Sequence, residues 1–406
     1  MAEEERVTRS HWPAIVIIAL LVRIVAAFVD FGFQPVPDFN SWAMENVAIT
    51  LSLDSGQGYS SPFFVHSGPT AWIPPGYPFF LAAIIRALGT GVFAATFVIA
   101  LQISLSLMTV WIVMYVARTQ FGIRSGNLAG FIAAIAPSFF MAPLWLWDTS
   151  LSQLFLIGIF AAMPFFSGRR WGFIAAGATS AVAALFHPGL IPSLFAICII
   201  FSWRVKRAPW TGLLVFVVAF SPWPVRNLHA MHSFIPFRSN FAHELWMGNH
   251  PGGDGEYDKR LDPMMNPELT AEFVSKGEVG YLRDRGAQAK AFIYSDPRNF
   301  LHLTVRRIVS FWIGSQGSTA VLFLPACAGL ILLRKRRSLF LLYLLPLILF
   351  PLPYYVTHTD LRYEYPIAPL LAILFAYAID SFLTFMRPGS EILTVEHSDV
   401  AKASCG

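Results

Sequence analysis

The sequence predicts an all-α polytopic membrane protein of about ten transmembrane helices. Three observations predict it. Of the 406 residues, 55% are hydrophobic and 13% charged, with a mean hydropathy of +0.56, whereas soluble chains carry about 25% charged residues. Apolar runs approaching the ~20 residues that cross a hydrocarbon core recur along the chain. The basic residues fall in short clusters between those runs.

The runs are 13–31, 93–117, 125–145, 149–167, 171–186, 188–203, 210–225, 316–333, 338–356 and 364–386. Arg6 and Arg9 precede the first. Arg118 and Arg124 follow the second, Arg169 and Arg170 the fourth, and Arg204, Lys206 and Arg207 the sixth. Arg334, Lys335, Arg336 and Arg337 follow the eighth, and Arg387 the tenth. Every second connection is therefore basic and faces the cytoplasm, as do both termini. The same distribution explains the net charge of +5 and the pI near 9.1 without a nucleic-acid partner. The order requires that 74–89, which holds three prolines and Arg86, lies at the outer interface and does not cross.

The remaining connections face outward: a long loop 32–90, a turn at 146–149, a second long loop 226–315 with interfacial helices, and the link 357–363. The expected organisation is an N-terminal transmembrane module 1–225, the loop 226–315, C-terminal helices 316–387 and a disordered cytoplasmic tail 388–406. The N-terminus lacks a small-residue cleavage pattern, so the first run is expected to remain as an anchor. Cys198, Cys327 and Cys405 have neither zinc-ligand nor redox spacing. Polar residues concentrate on the outward side, and chemistry is expected there.

Asp38 follows Pro-Val-Pro and precedes a helix-like stretch, 39–53. It is either a helix cap or a general base or metal ligand at the membrane surface. Glu45, seven residues on, would share a helix face with it. Asp54 starts a glycine turn. Asp148 is either an N-cap for the next helix or a partner of Asp38. His187, before Pro188, is an ionisable group at membrane depth. Arg226 and Arg362 are outward arginines that either snorkel to lipid phosphates or clamp a substrate phosphate. Arg306 and Arg307 look like lipid contacts. The glycine-rich 243–258 is a mobile lid or a plain loop. No zinc motif, phosphate-binding glycine loop, nucleophile elbow or nucleotide fingerprint occurs.

These segments together resemble a known family. They are Leu-Val-Arg-Ile-Val at 21–25, Asp38, Pro-Thr-Ala-Trp-Ile-Pro-Pro-Gly-Tyr-Pro at 69–78, Pro-Trp-Pro-Val-Arg-Asn at 222–227 and Glu-Leu-Trp-Met-Gly-Asn at 244–249. Gly-Glu-Val-Gly-Tyr at 277–281, Asp-Pro-Arg-Asn-Phe at 296–300 and Arg-Tyr-Glu-Tyr-Pro-Ile-Ala-Pro at 362–369 complete them. Over about 13–370 the chain resembles the bacterial GT-C glycosyltransferases related to protein O-mannosyltransferases and to the aminoarabinose transferase of lipid A (family 39-like). The resemblance implies a GT-C-type bundle in the bacterial inner membrane. It implies transfer of a hexosyl or pentosyl group from a polyprenyl-phosphate donor to a hydroxyl of a lipid, polysaccharide or protein, on the extracytoplasmic face and with inversion.

Asp38 and Asp148 would be catalytic and would hold any divalent metal ion. Arg226, Arg362, His187 and Tyr363 would bind the donor phosphate, with Glu45 and His358 as secondary candidates. Three departures stand out. Asp38 is followed by Phe39, where relatives have Asp-Glu. His187 replaces the arginine of Leu-Thr-Arg-Pro. Ser150 replaces the second acid of Asp-x-Asp. A transporter or flippase of an anionic or lipid-linked substrate, and a non-catalytic membrane relative, are the competing expectations.

Overall fold

A computed structural model of the chain describes residues 11–169, 171–314 and 319–386. Arg6, Arg9, Arg170, Arg387, the start of the run 316–333 and the tail with Cys405 lie outside the described residues.

The all-α expectation holds. Seven helices are long and apolar enough to cross a membrane: Trp12–Asp30, Val92–Phe121, Thr149–Phe166, Pro188–Val205, Trp210–Met231, Arg337–Val356 and Leu361–Phe385. The run 125–145 is a broken helix, Ile123–Ile135 followed by Pro137–Leu144, bent by 67°. The run 171–186 is the 15-residue helix Gly172–Phe186. Within 316–333 the helix is Ala320–Leu332, 13 residues. At about 1.5 Å per residue neither of these two covers a hydrocarbon core of about 30 Å unaided. Trp171 and His187 bound the first of these helices and the basic 334–337 cluster follows the second, so counting apolar runs overcounts full-length spans.

In chain order, α1 is Trp12–Asp30, α2 Glu45–Asp54, α3 Gly76–Leu88, α4 Val92–Phe121 and α5 Ile123–Ile135. Gly122, at φ 98°, lets the chain reverse between α4 and α5. Pro137 has no N–H to continue α5, and the last carbonyls of that helix lose their partners. Arg23 of α1 supplies donors there. It is fully buried, and its guanidinium donates to Ala134 O (3.3 Å), Phe139 O (3.4 Å), Ala19 O (2.9 Å) and Ser106 Oγ (2.9 Å). A polar side chain buried in an apolar bundle is thus satisfied by the bend it stabilises.

α6 is Pro137–Phe140, α7 Thr149–Ser167, α8 Gly172–Phe186, α9 Ile191–Val205, α10 Trp210–Phe220 and α11 Pro222–Met231. α8 and α10 pack backbone to backbone: a Cβ on Gly177 would lie 2.1 Å from the carbonyl oxygen of Gly212. Such small-residue contacts bring helices together where no hydrophobic effect drives association.

The second long loop is mostly helical: α12 (Phe241–Gly248), α13 (Pro267–Ser295, broken at Gly277) and α14 (Pro297–Ile313). α15 (Ala320–Leu332), α16 (Arg337–Leu349), α17 (Leu352–Val356) and α18 (Ala368–Phe385) complete the fold. At the end of the bundle that carries Arg124, that side chain pairs with Asp380 at 3.4 Å. The loops 32–90, 145–148, 232–314 and 357–365 gather at the other end.

One local expectation fails. The stretch 39–53 is not one helix. Phe39–Ser41 forms a 3-10 turn, Trp42 and Met44 are extended, and α2 starts at Glu45. Asp38 and Glu45 therefore do not share a helix face. The segment 74–89 folds as α3, which buries Tyr77, Leu81, Ala82 and Ile85 as it packs beside α2.

Candidate active site

Two polar knots hold the loops together before any chemistry is considered. In the first, the buried carboxylate of Glu278 accepts from Ala71 N (2.9 Å) and from the hydroxyls of Thr70 and Ser239. Arg226 adds two donors, Nη1 to Thr70 O and Nη2 to Tyr59 O, each 2.6 Å, and lies over the rings of Tyr59 and Trp223. Its fork is spent on the first loop, so this arginine braces the site rather than presenting itself to a ligand.

In the second knot Arg307 is 1% exposed. It donates to Tyr355 O (3.2 Å), Val356 O (3.3 Å), Asn249 Oδ1 (2.8 Å) and Gly248 O. That corrects its expected role as a lipid contact: the amphipathic pattern of α14 identifies a helix with two unlike faces, not which face meets protein. Arg306 reaches Asp254 at 3.3 Å. Gly248 is required here, since a Cβ would lie 1.7 Å from Thr357 O. We predict that Gly248→Ala forces 245–250 away from 355–358 and lowers thermal stability in detergent. Unchanged melting would mean the two segments are not pressed together.

Between the knots lies a cluster of acid, base and aromatic groups. Asp148 and His187 meet: Nδ1 of the imidazole is 2.8 Å from Asp148 Oδ2, which also accepts from Ser152 Oγ at 2.8 Å. His187 Nε2 faces the Tyr354 hydroxyl at 3.1 Å. A carboxylate that only accepts fixes the proton on Nδ1 and orients the ring. Tyr354 stacks on Tyr363 with centroids 4.5 Å apart. The Tyr363 hydroxyl lies 2.7 Å from His358 Nε2. His358 Nδ1 lies 3.1 Å from Glu244 Oε2 without hydrogen-bond alignment.

Arg238 Nη2 (2.8 Å) and Asn240 Nδ2 (2.6 Å) donate to the other Glu244 oxygen. Burial works to raise the Glu244 carboxyl, but His358, Arg238 and their neighbours outweigh it and hold it below its ordinary value. Burial pushes the His358 imidazole below its ordinary value.

Arg362 sits over the Trp147 ring at 5.0 Å and donates from Nε to Asp360 at 3.3 Å. Its two Nη groups have no hydrogen-bond partner among the described residues. The Glu45 carboxyl belongs to the same cluster. Burial first, then the Asp262 charge, raise it to about 7, while Arg362 pulls the other way.

Asp38 stands apart. Its Oδ1 accepts from Ser41 N (3.0 Å) and Ser41 Oγ (2.8 Å), which makes it the cap of the 39–41 turn. No hydrogen bond or ion pair links it to Asp148. Among the described residues no group of three or more His, Cys, Asp or Glu side chains could hold a metal ion. With Asp148 engaged by His187 and Ser152, the residues present do not form the expected Asp38–Asp148 metal site. Sequence reasoning missed Glu244, Arg238, Trp147, Tyr354 and Asp262. Glu244 alone had a signal, in Glu-Leu-Trp-Met-Gly-Asn.

An apolar groove of about 430 Å³ runs along α1 past Leu21, Val25, Val29, Phe140 and Met141, ending at Asp30, from which the first loop departs.

Solved structures share this architecture. ArnT from Cupriavidus metallidurans bound to undecaprenyl phosphate superposes with a TM-score of 0.50 at 16% identity, over 90% of this chain and 60% of that one. The chain has the GT-C glycosyltransferase fold. A second GT-C structure, the Archaeoglobus fulgidus oligosaccharyltransferase with zinc and sulfate, matches at 0.51 and 16% identity, over 91% of this chain and 49% of that one. The archaeal oligosaccharyltransferase AglB of the same organism, with an inhibitory peptide and a dolichol-phosphate, matches at 0.50 and 14% identity, over 92% and 50%. This GT-C chain thus spans about half to three fifths of their lengths. No family model and no curated protein matches its sequence.

Proposed function

We propose that the chain is an inner-membrane glycosyltransferase that moves a hexosyl or pentosyl group from a polyprenyl-phosphate donor to an acceptor hydroxyl on the extracytoplasmic face, with inversion. The observation that carries the reading is Arg362. Its guanidinium, paired through Nε with Asp360 and with both Nη groups free of hydrogen bonds among the described residues, lies where the first loop, Trp147 and the 357–363 link converge, in a fold whose solved examples hold undecaprenyl phosphate and dolichol-phosphate. The prenyl chain would lie in lipid along the α1 groove. The acceptor oxygen would attack the anomeric carbon as the bond to the phosphate oxygen breaks. Arg362 would take the charge that develops on the phosphate, and His187, its ring held by Asp148 through Nδ1, would add a donor at Nε2 only as an imidazolium.

A first-loop carboxylate would take the acceptor proton. The resemblance points to Asp38. Glu45 is the second candidate, because burial raises its carboxyl to about 7, and a base is most effective with a pKa near the working pH. Asp38→Asn and Glu45→Gln in membranes supplied with a polyprenyl-phosphate sugar separate the two, since the base variant loses transfer while the other retains it. Retention of normal transfer by both would sink the carboxylate mechanism, and no transfer from any such donor by the wild type would sink the function.

Glu45 also makes a pH prediction. Its folded value, about 7, lies above the ordinary 4.5, so the folded chain binds the proton more tightly than the unfolded chain. Its stabilising contribution is complete below about 4.5 and is lost as pH rises through about 7. Melting temperature across that interval should fall less in Glu45→Gln than in the wild type. Parallel curves would place the titration elsewhere.

A further inference from the structure

A small polar cavity of about 40 Å³ lies where the second loop meets the 357–361 segment, lined by Glu256, Ser310, Thr319, Thr359 and Asp360. Among the described residues no basic side chain lines it. Glu256 Oε1 accepts from Ser310 Oγ at 3.1 Å. Asp360 Oδ1 takes the backbone N–H and Nε of Arg362, and Oδ2 takes no hydrogen bond among the described residues. Thr359 is 4% exposed, and its Oγ1 is buried without a hydrogen-bond partner among the described residues. A buried hydroxyl left unpaired is destabilising, so its presence in a cavity of two carboxylates calls for a ligand. The backbone around it is fixed: Thr359 N donates to Gly255 O at 3.3 Å, and Tyr257 N to Thr359 O at 3.2 Å.

We propose that this cavity is a site for one hard divalent cation, calcium by preference, held by Glu256, Asp360 and the hydroxyls of Thr359 and Ser310. The chemistry selects the ion. All the side-chain donors are oxygens, two of them from carboxylates, with neither imidazole nor thiolate, which suits calcium over zinc. The volume admits an ion with little accompanying water. The bound ion joins the glycine-rich 251–257 loop to the segment that carries Arg362, and so holds the second loop against the bundle. It is separate from the Asp38–Asp148 position, and the claim does not depend on the glycosyltransferase reading.

The test uses the purified full chain in a non-ionic detergent, stripped with chelator and titrated with calcium chloride against magnesium chloride. Expected is saturable binding of one calcium per chain with a rise in melting temperature. In Glu256→Gln affinity should drop by about tenfold or more. Thr359→Val keeps both carboxylates and the fold, and should also weaken binding. An unchanged melting curve on adding calcium overturns the site. So does a calcium response in Glu256→Gln and Thr359→Val equal to that of the wild type. If Glu256→Gln fails to fold, Thr359→Val decides.

Discussion

Replacing Arg362 with alanine is expected to lower sugar transfer by about 10²–10³-fold, the usual cost of deleting one donor that stabilises transition-state charge. Its protein contacts are light: Asp360 at 3.3 Å and the face of Trp147. Expression and melting should therefore stay near wild type while turnover collapses. Lysine supplies the charge but not the planar fork, so Arg362→Lys should recover only part of the rate. The measurement is initial rate against donor concentration in membranes. An unchanged response to donor would mean the guanidinium meets lipid phosphates and not the substrate.

Glu278→Ala is expected to have the largest effect on the fold. The substitution removes one acceptor from three donors, the Thr70 and Ser239 hydroxyls and the Ala71 N–H. Each buried donor left unsatisfied costs about 1–3 kcal/mol, so for the three the loss is on the order of 3–9 kcal/mol. The variant should fail to accumulate or should melt far earlier by size exclusion after heating. Glutamine keeps the shape and one acceptor oxygen, and should fall between. Wild-type melting of Glu278→Ala would show that the two long loops are held together elsewhere.

The gross architecture was legible because lipid imposes a coarse rule, and apolar runs with basic connections record it directly. Helix ends were less so. The run 125–145 looks continuous in composition, and only Pro137 marks the bend. Site pairings were the least legible. Asp148 and His187 are 39 residues apart at the ends of different helices, and each has a sufficient local explanation, as a cap and as a proline neighbour. Their contact arises from how α7 and α8 cross. Arg226 and Arg307 show the reverse problem. Both stood out as charges in unusual places, yet most of their hydrogen bonds go to backbone carbonyls, which carry no mark in the sequence. Asp38 was the most conspicuous first-loop acid, and Glu45, embedded among charges from three distant segments, needed the fold to be noticed.

Arg23 constrains how the molecule can move. Its donors are divided among α1, α4 and both sides of the break at Pro137. Sliding or tilting α1 against that group would strand a guanidinium in hydrocarbon, at a cost of several kcal/mol. These helices therefore behave as a stator. Under the proposed function, opening and closing would fall to the loop assembly above them, the opposite division of labour from a rocking carrier, where the helices themselves are the moving part.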